Sequence, residues 1–137
     1  MDPLLPLLGA VLWTLGLVFV VAGHRTVLVL AGKQASNAFK SGEPHGPDWY
    51  RRVNRAHMNC VENVPLFAAV VLAGHVAETI ADPFGTLAMV WFLARIGQTL
   101  AHVSSGSAMA VNVRFTFFVI QHVCLIGMCL LVLDGLL

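Results

Sequence analysis

Charge is scarce in this chain. Only 11% of its 137 residues are Asp, Glu, Lys or Arg, while 58% are hydrophobic. Soluble domains carry about 25% charged and about 45–50% apolar residues. A water-soluble core of this size could not absorb the apolar surplus, and the mean hydropathy of +0.79 agrees. Cysteine is sparse as well: Cys60, Cys124 and Cys129 match no metal or redox spacing. They offer no disulfide framework and read as small apolar side chains in helices. No other residue set has metal-ligand spacing, and no internal repeat or low-complexity tract is present. The net charge of +1 gives no bias toward nucleic acid, and no nucleic-acid partner is expected.

What the chain has instead is long apolar runs. A bilayer core needs roughly 20 apolar residues per helix. Pro3 to Ala22 supplies one span, and Val64 to Ala81 the apolar part of a second that polar residues extend outward from Tyr50. Phe84 to Val103 supplies a third, interrupted by Arg95, and Ala108 to Leu133 a fourth, interrupted by Arg114. The first span lacks a basic start and a small-residue cleavage site, so it is expected to be retained. The prediction is one domain over residues 1–137, an all-α integral membrane four-helix bundle.

The connections differ. Lys33 to Asp48 holds Gly42, Pro44, Gly46 and Pro47 among polar residues and reads as a true loop. Asp82-Pro83 is expected to open the third helix, Asp as N-cap and Pro in the first turn. A short turn lies near Ser104 to Ser107. Six of the eight basic residues (Arg25, Lys33, Lys40, Arg51, Arg52, Arg55) flank the first loop, whereas Asp2, Glu78, Asp82 and Asp134 fall on the opposite side. The positive-inside rule then puts loop 33–48 and the turn near 104–107 in the cytoplasm, with both termini on the other side. Gly9, Gly16 and Gly23 recur every seven residues on one face of the first helix, where small residues let another helix approach.

The polar residues inside the spans carry the functional signal, because intramembrane charge is costly and faces a partner or a wet cavity. Arg55, Asn59 and Glu62 fall at i, i+4 and i+7 on the second helix; Arg95, Gln98, Thr99 and His102 fall at i, i+3, i+4 and i+7 on the third. Two such stripes should face each other, with Glu62 and Arg95 as natural partners. Internal bonding of the bundle is one reading of them. A ligand site is the other: the stripes lie near the loop end, and Lys33, Arg51, Arg52, Arg55, Arg95 and Arg114 outnumber Glu62, which suits an anionic, peptide-like ligand.

Arg55-Ala-His57-x-Asn59-x-x-Glu62, followed by Pro65, resembles the second-helix signature of the MAPEG family, the membrane-associated proteins of eicosanoid and glutathione metabolism. Phe92-Leu-Ala-Arg95 with Gln98, Thr99 and His102 is similar to the family's third-helix segment. Asn112-Val-Arg114 resembles its arginine-bearing fourth-helix segment. The likeness covers the whole chain. It implies a homotrimer that binds glutathione as co-substrate between neighbouring subunits at the cytosolic side. Carried over residue by residue, it gives Lys33, Arg55, Asn59, Glu62, Arg95, Gln98 and His102 as glutathione-binding residues and Arg114 as the catalytic arginine that stabilises the thiolate. Met58, Gln98 and His102 depart from the basic, His or Tyr residues common at these positions, and the one tyrosine, Tyr50, lies outside the third helix.

The resemblance implies a glutathione-dependent membrane enzyme that conjugates apolar electrophiles or reduces lipid hydroperoxides. Its apolar or lipid substrate would arrive from the bilayer. The alternatives are a non-catalytic protein of the same family that binds a lipid or presents it to a partner, and a purely structural bundle. Arg114 favours the enzyme; Met58 and the missing third-helix tyrosine favour the alternatives.

Overall fold

The computed structural model describes residues 1–40 and 45–137; Gly42 and Pro44 of the expected loop lie outside the described residues. Among the described residues the architecture is all-helical: α1 Leu4–Leu30, α2 Asp48–Val76, α3 Phe84–Ser104 and α4 Ala108–Leu136, with a short 3-10 turn at Ser36–Ala38. All four helices are long and apolar enough to cross a membrane. The chain is an integral, multi-pass membrane protein. α3, with 21 residues, is about 31 Å long and just spans a hydrocarbon core of roughly 30 Å. α1, with 27 residues, and α2 and α4, with 29 each, reach about 40 Å and project beyond it.

The helix ends explain two departures from the expected spans. α1 continues past Ala22 to Leu30 because the apolar run resumes after His24-Arg25, and it is stopped by Gly32 at φ +65°. Gly32 N–H donates to Val29 O at 3.0 Å and Lys33 N–H to Leu28 O at 2.9 Å, a Schellman cap that a glycine accommodates without Cβ strain. α2 ends at Val76 rather than Ala81. There Glu78 takes the left-handed position at φ +55°, and Thr79 N–H donates to Gly74 O at 2.9 Å. Asp82 does not cap the α3 backbone. Its Oδ1 accepts from the Thr86 hydroxyl at 3.0 Å, and its Oδ2 lies 3.7 Å from the Met1 ammonium. Ser107 caps α4, accepting from Ala110 N–H at 3.3 Å.

α2 and α3 pack against each other and each touches both other helices, so they form the diagonal of the bundle with α1 and α4 on its flanks; the α3–α4 seam is the most extensive. The core is filled by Leu7 and Ala10 of α1, Val64, Phe67 and Val71 of α2, Phe84, Ala88 and Trp91 of α3, and Met128 and Val132 of α4. The Phe67 and Trp91 rings stack at 3.9 Å, and Trp91 is thereby a packing residue rather than an interface anchor. Cys60 and Cys124 are buried among these apolar groups as expected.

Small residues set the helix separations. A side chain at Gly97 would strike the Phe117 ring, which is how α3 and α4 come so close. The α1 glycine row is used only in part: Gly9 receives Phe92 of α3, whereas Gly16 and Gly23 meet nothing within 4 Å.

Candidate functional site

Pairing of the two polar stripes is what the fold produces, though not through the expected ion pair. Arg95, only 1% exposed, projects from α3 toward α2. Its Nη1 donates to the Asn59 side-chain oxygen and, at 3.4 Å, to the Asn59 carbonyl. The same nitrogen donates to Gln98 Oε1 at 2.9 Å, and the guanidinium carbon lies 5.1 Å from the Trp91 ring centroid. Glu62 is exposed and makes no ion pair with Arg95. The reason is geometric: Asn59 turns inward to meet Arg95, and three residues further along α2 the chain has rotated Glu62 onto the outer face, where Asn63 takes the inward position instead. Asn63 Nδ2 donates back to Asn59 O at 2.8 Å and steadies the carbonyl that faces Arg95.

From Arg95 the network continues into α4. Gln98 Oε1 accepts a second bond, from Gln121 Nε2 at 3.1 Å, while Gln98 Nε2 donates to the backbone carbonyl of Arg114 at 3.3 Å. Gln121 is fully buried and also donates to Phe117 O at 2.9 Å. Asn59, Arg95, Gln98 and Gln121 therefore form one polar chain across three helices, in a medium where each unpaired group would be expensive. Its last link fixes the backbone from which Arg114 springs. Gln121 escaped the sequence reading. A lone Gln in an apolar helix is itself an intramembrane polar group, and that signal marks it.

Toward the loop end the site changes character. Arg114 of α4 and His102 of α3 are half-buried, Arg55 of α2 is exposed, and all three arginines Arg114, Arg55 and Arg95 act electrostatically on His102. Arg52, one turn before Arg55, donates from Nε to the Val103 carbonyl at 2.9 Å, tying α2 to the C-terminal turn of α3. The ion pairs among the described residues are Met1–Asp82 and Arg51–Asp48, so no described carboxylate pairs with this cluster. Asp48 pairs with Arg51 on the exposed start of α2 and takes no part in it.

The residues expected at a site are thus sorted into three groups. Arg55 and Arg114 lie near enough to His102 for their charges to act on its ring, Arg55 from the exposed face of α2. Asn59, Arg95 and Gln98 form a polar network beside it, with Arg95 and Gln98 at 1% and 5% exposure in this one copy. Lys33 and Glu62 are exposed and joined to neither group within this one copy. Polar groups hold the α2–α3–α4 corner together, and open cationic groups sit above it. Such an arrangement can take a small anion carrying peptide-like donors and acceptors.

A comparison with family models matches residues 3–133 to the MAPEG family. The chain belongs to the MAPEG family. A search of proteins of curated function finds no match. MAPEG membership makes this a membrane protein of eicosanoid and glutathione metabolism, and it accounts for the four-helix architecture. The helix-2 signature of this MAPEG chain spans both sides of α2: Asn59 faces the internal network, and Arg55 and Glu62 face outward.

Proposed function

We propose that this MAPEG protein is a glutathione-dependent membrane enzyme that conjugates apolar electrophiles or reduces lipid hydroperoxides. The observation that supports the reading is the basic surrounding of His102, on which Arg114, Arg55 and Arg95 all act and with which no described carboxylate pairs, beside a network in which Gln98 donates to the Arg114 carbonyl. Glutathione fits that cluster: it is anionic, and its peptide groups suit Asn and His donors. Arg55 and His102 would bind and orient it. Arg114 would hold the sulfur as thiolate, since a guanidinium beside a thiol raises the fraction ionised at neutral pH. The thiolate then attacks the electrophilic carbon, the carbon–sulfur bond forms, and the leaving group departs with its electron pair. Phe115 and Val111, exposed beside Arg114, would meet the apolar substrate from the bilayer.

The working unit proposed is a homotrimer. Glu62 and Arg55 lie on an exposed face of a spanning helix, alongside the exposed Met58, Val61 and Leu66. Lipid contact for a carboxylate there would be costly, and a neighbouring copy removes it. Lys33 and Glu62, which one copy leaves apart from the cluster, would then complete a site between subunits.

The test is glutathione binding by calorimetry in detergent, followed by ultraviolet titration of the bound thiol in wild type and Arg114→Ala. The expected outcome is binding at millimolar glutathione or below. In Arg114→Ala the bound thiol should titrate at higher pH, with turnover reduced by about 10²-fold or more and affinity changed less. An unaltered thiolate signal and rate would remove Arg114 from catalysis. No binding at millimolar glutathione would favour the second reading, a lipid-binding or lipid-presenting member of the family. One observation supports that reading: Tyr50, the one tyrosine, is 1% exposed and bonded to Arg25, so no phenol can reach the cluster.

A further inference from the structure

A second cationic site stands apart from the Arg114 cluster, at the loop end of α1. The helix outruns the hydrocarbon by about 10 Å, so with Leu4 at one edge the residues beyond about Gly23 stand in the headgroup layer. There a cavity of about 320 Å³ is lined by Arg25, Thr26, Val29, Leu30, Ser36 and Phe39.

Arg25 is held in place before any ligand arrives. Its Nε donates to the Tyr50 hydroxyl at 2.6 Å, and its guanidinium carbon lies 5.4 Å from the Phe39 ring centroid and 6.0 Å from that of Tyr50. Tyr50 is buried and braced in turn by the His24 ring at 4.7 Å and the Trp49 ring at 5.9 Å. One edge of the guanidinium is thus committed to Tyr50. The η nitrogens form the other, and no described carboxylate pairs with them. The fork made by those nitrogens matches two oxygens of a phosphate. The hydroxyls of Thr26 and Ser36 line the same cavity and can donate to the remaining oxygens. Val29, Leu30 and Phe39 complete the wall of this open depression.

We infer that this cavity binds a phosphate ester at the membrane surface, with the phosphodiester of an anionic phospholipid as the occupant its depth favours. The immobilised guanidinium supplies the charge and the two hydroxyls the geometry. A choline headgroup brings its own cation beside the phosphate and is bound less well.

The experiment uses the full chain in neutral detergent, titrated separately with phosphatidylglycerol, phosphatidylcholine and glycerol phosphate, with occupancy read by native mass spectrometry. Wild type should prefer phosphatidylglycerol over phosphatidylcholine by about tenfold, because the choline cation competes with Arg25 for the same phosphodiester. Arg25→Gln should abolish the preference and Arg25→Lys retain part of it. Because Arg25→Gln also removes one of the two partners of the Tyr50 hydroxyl, Ser36→Glu provides the second arm: it puts a carboxylate into the cavity on an exposed turn and should abolish the preference in a folded protein. Glycerol phosphate displacing the lipid at micromolar concentration would keep the phosphate site but identify its source as soluble. Equal binding of the two lipids by wild type, or an undiminished preference in Ser36→Glu, would overturn the inference.

Discussion

Single residues show how far intramembrane polarity can be read without coordinates. The spacing of Arg55, Asn59 and Glu62 put them on successive turns of α2, but a shared face about 60° wide is too coarse to say which of them turns inward. The structure divides them, with Asn59 facing Arg95 and Glu62 facing out. A double-mutant cycle separates the two arrangements. Glu62→Gln with Arg95→Met should show coupling no larger than about 0.5 kcal/mol, as for independent sites. Asn59→Ala with Arg95→Met should couple by at least about 1 kcal/mol, because each single change breaks the same buried charge-assisted bond. Urea unfolding in mixed micelles measures both. Strong Glu62–Arg95 coupling would restore the ion pair and refute the geometry described for α2.

At the scale of elements, hydropathy located all four helices, and the apolar run from Ala108 marked the start of α4, whereas the expected Asp82 cap of α3 did not form. The ends of α1 and α2 were less legible: α1 runs on where the apolar sequence resumes after Arg25, and both helices stop at a cap with a left-handed residue. α1 is closed by Gly32, a residue suited to φ +65°, whereas α2 closes on Glu78 at φ +55°. An L side chain in that conformation costs about 1–2 kcal/mol, part of which glycine recovers after its larger loss of chain entropy. Glu78 is exposed, and among the described residues none donates a hydrogen bond to its carboxylate to offset the cost. Glu78→Gly should therefore raise stability by about 0.5–1 kcal/mol, seen as a higher thermal midpoint with unaltered turnover. A lower midpoint would mean that the Glu78 side chain contributes something the cap geometry does not reveal.

At the scale of the whole molecule, the basic loop and the exposed polar face of α2 make separate demands. The first concerns orientation. Lys33→Cys, next to the α1 cap, should resist an impermeant thiol reagent in intact cells, while Asp2→Cys should react, if loop 33–48 is cytoplasmic. Reaction at position 33 from outside would reverse the topology. The second concerns assembly, and it can be read from activity. If the site lies between subunits, Glu62 comes from one copy and the Arg114 cluster from the next. Glu62→Gln and Arg114→Ala should then each be inactive alone. Co-expressed, they form mixed trimers in which an interface can pair an intact Glu62 with an intact Arg114. Random mixing in a closed ring leaves roughly a quarter of the sites intact, so turnover should return to about that fraction of wild type. Mixing the separately purified variants without subunit exchange should restore nothing, which controls for residual activity. Were Glu62 and Arg114 required from the same copy, every mixed site would lack one of them and no activity would return. The exposure of Glu62 in one copy, against the internal anchoring of Arg114 by Gln98, favours rescue.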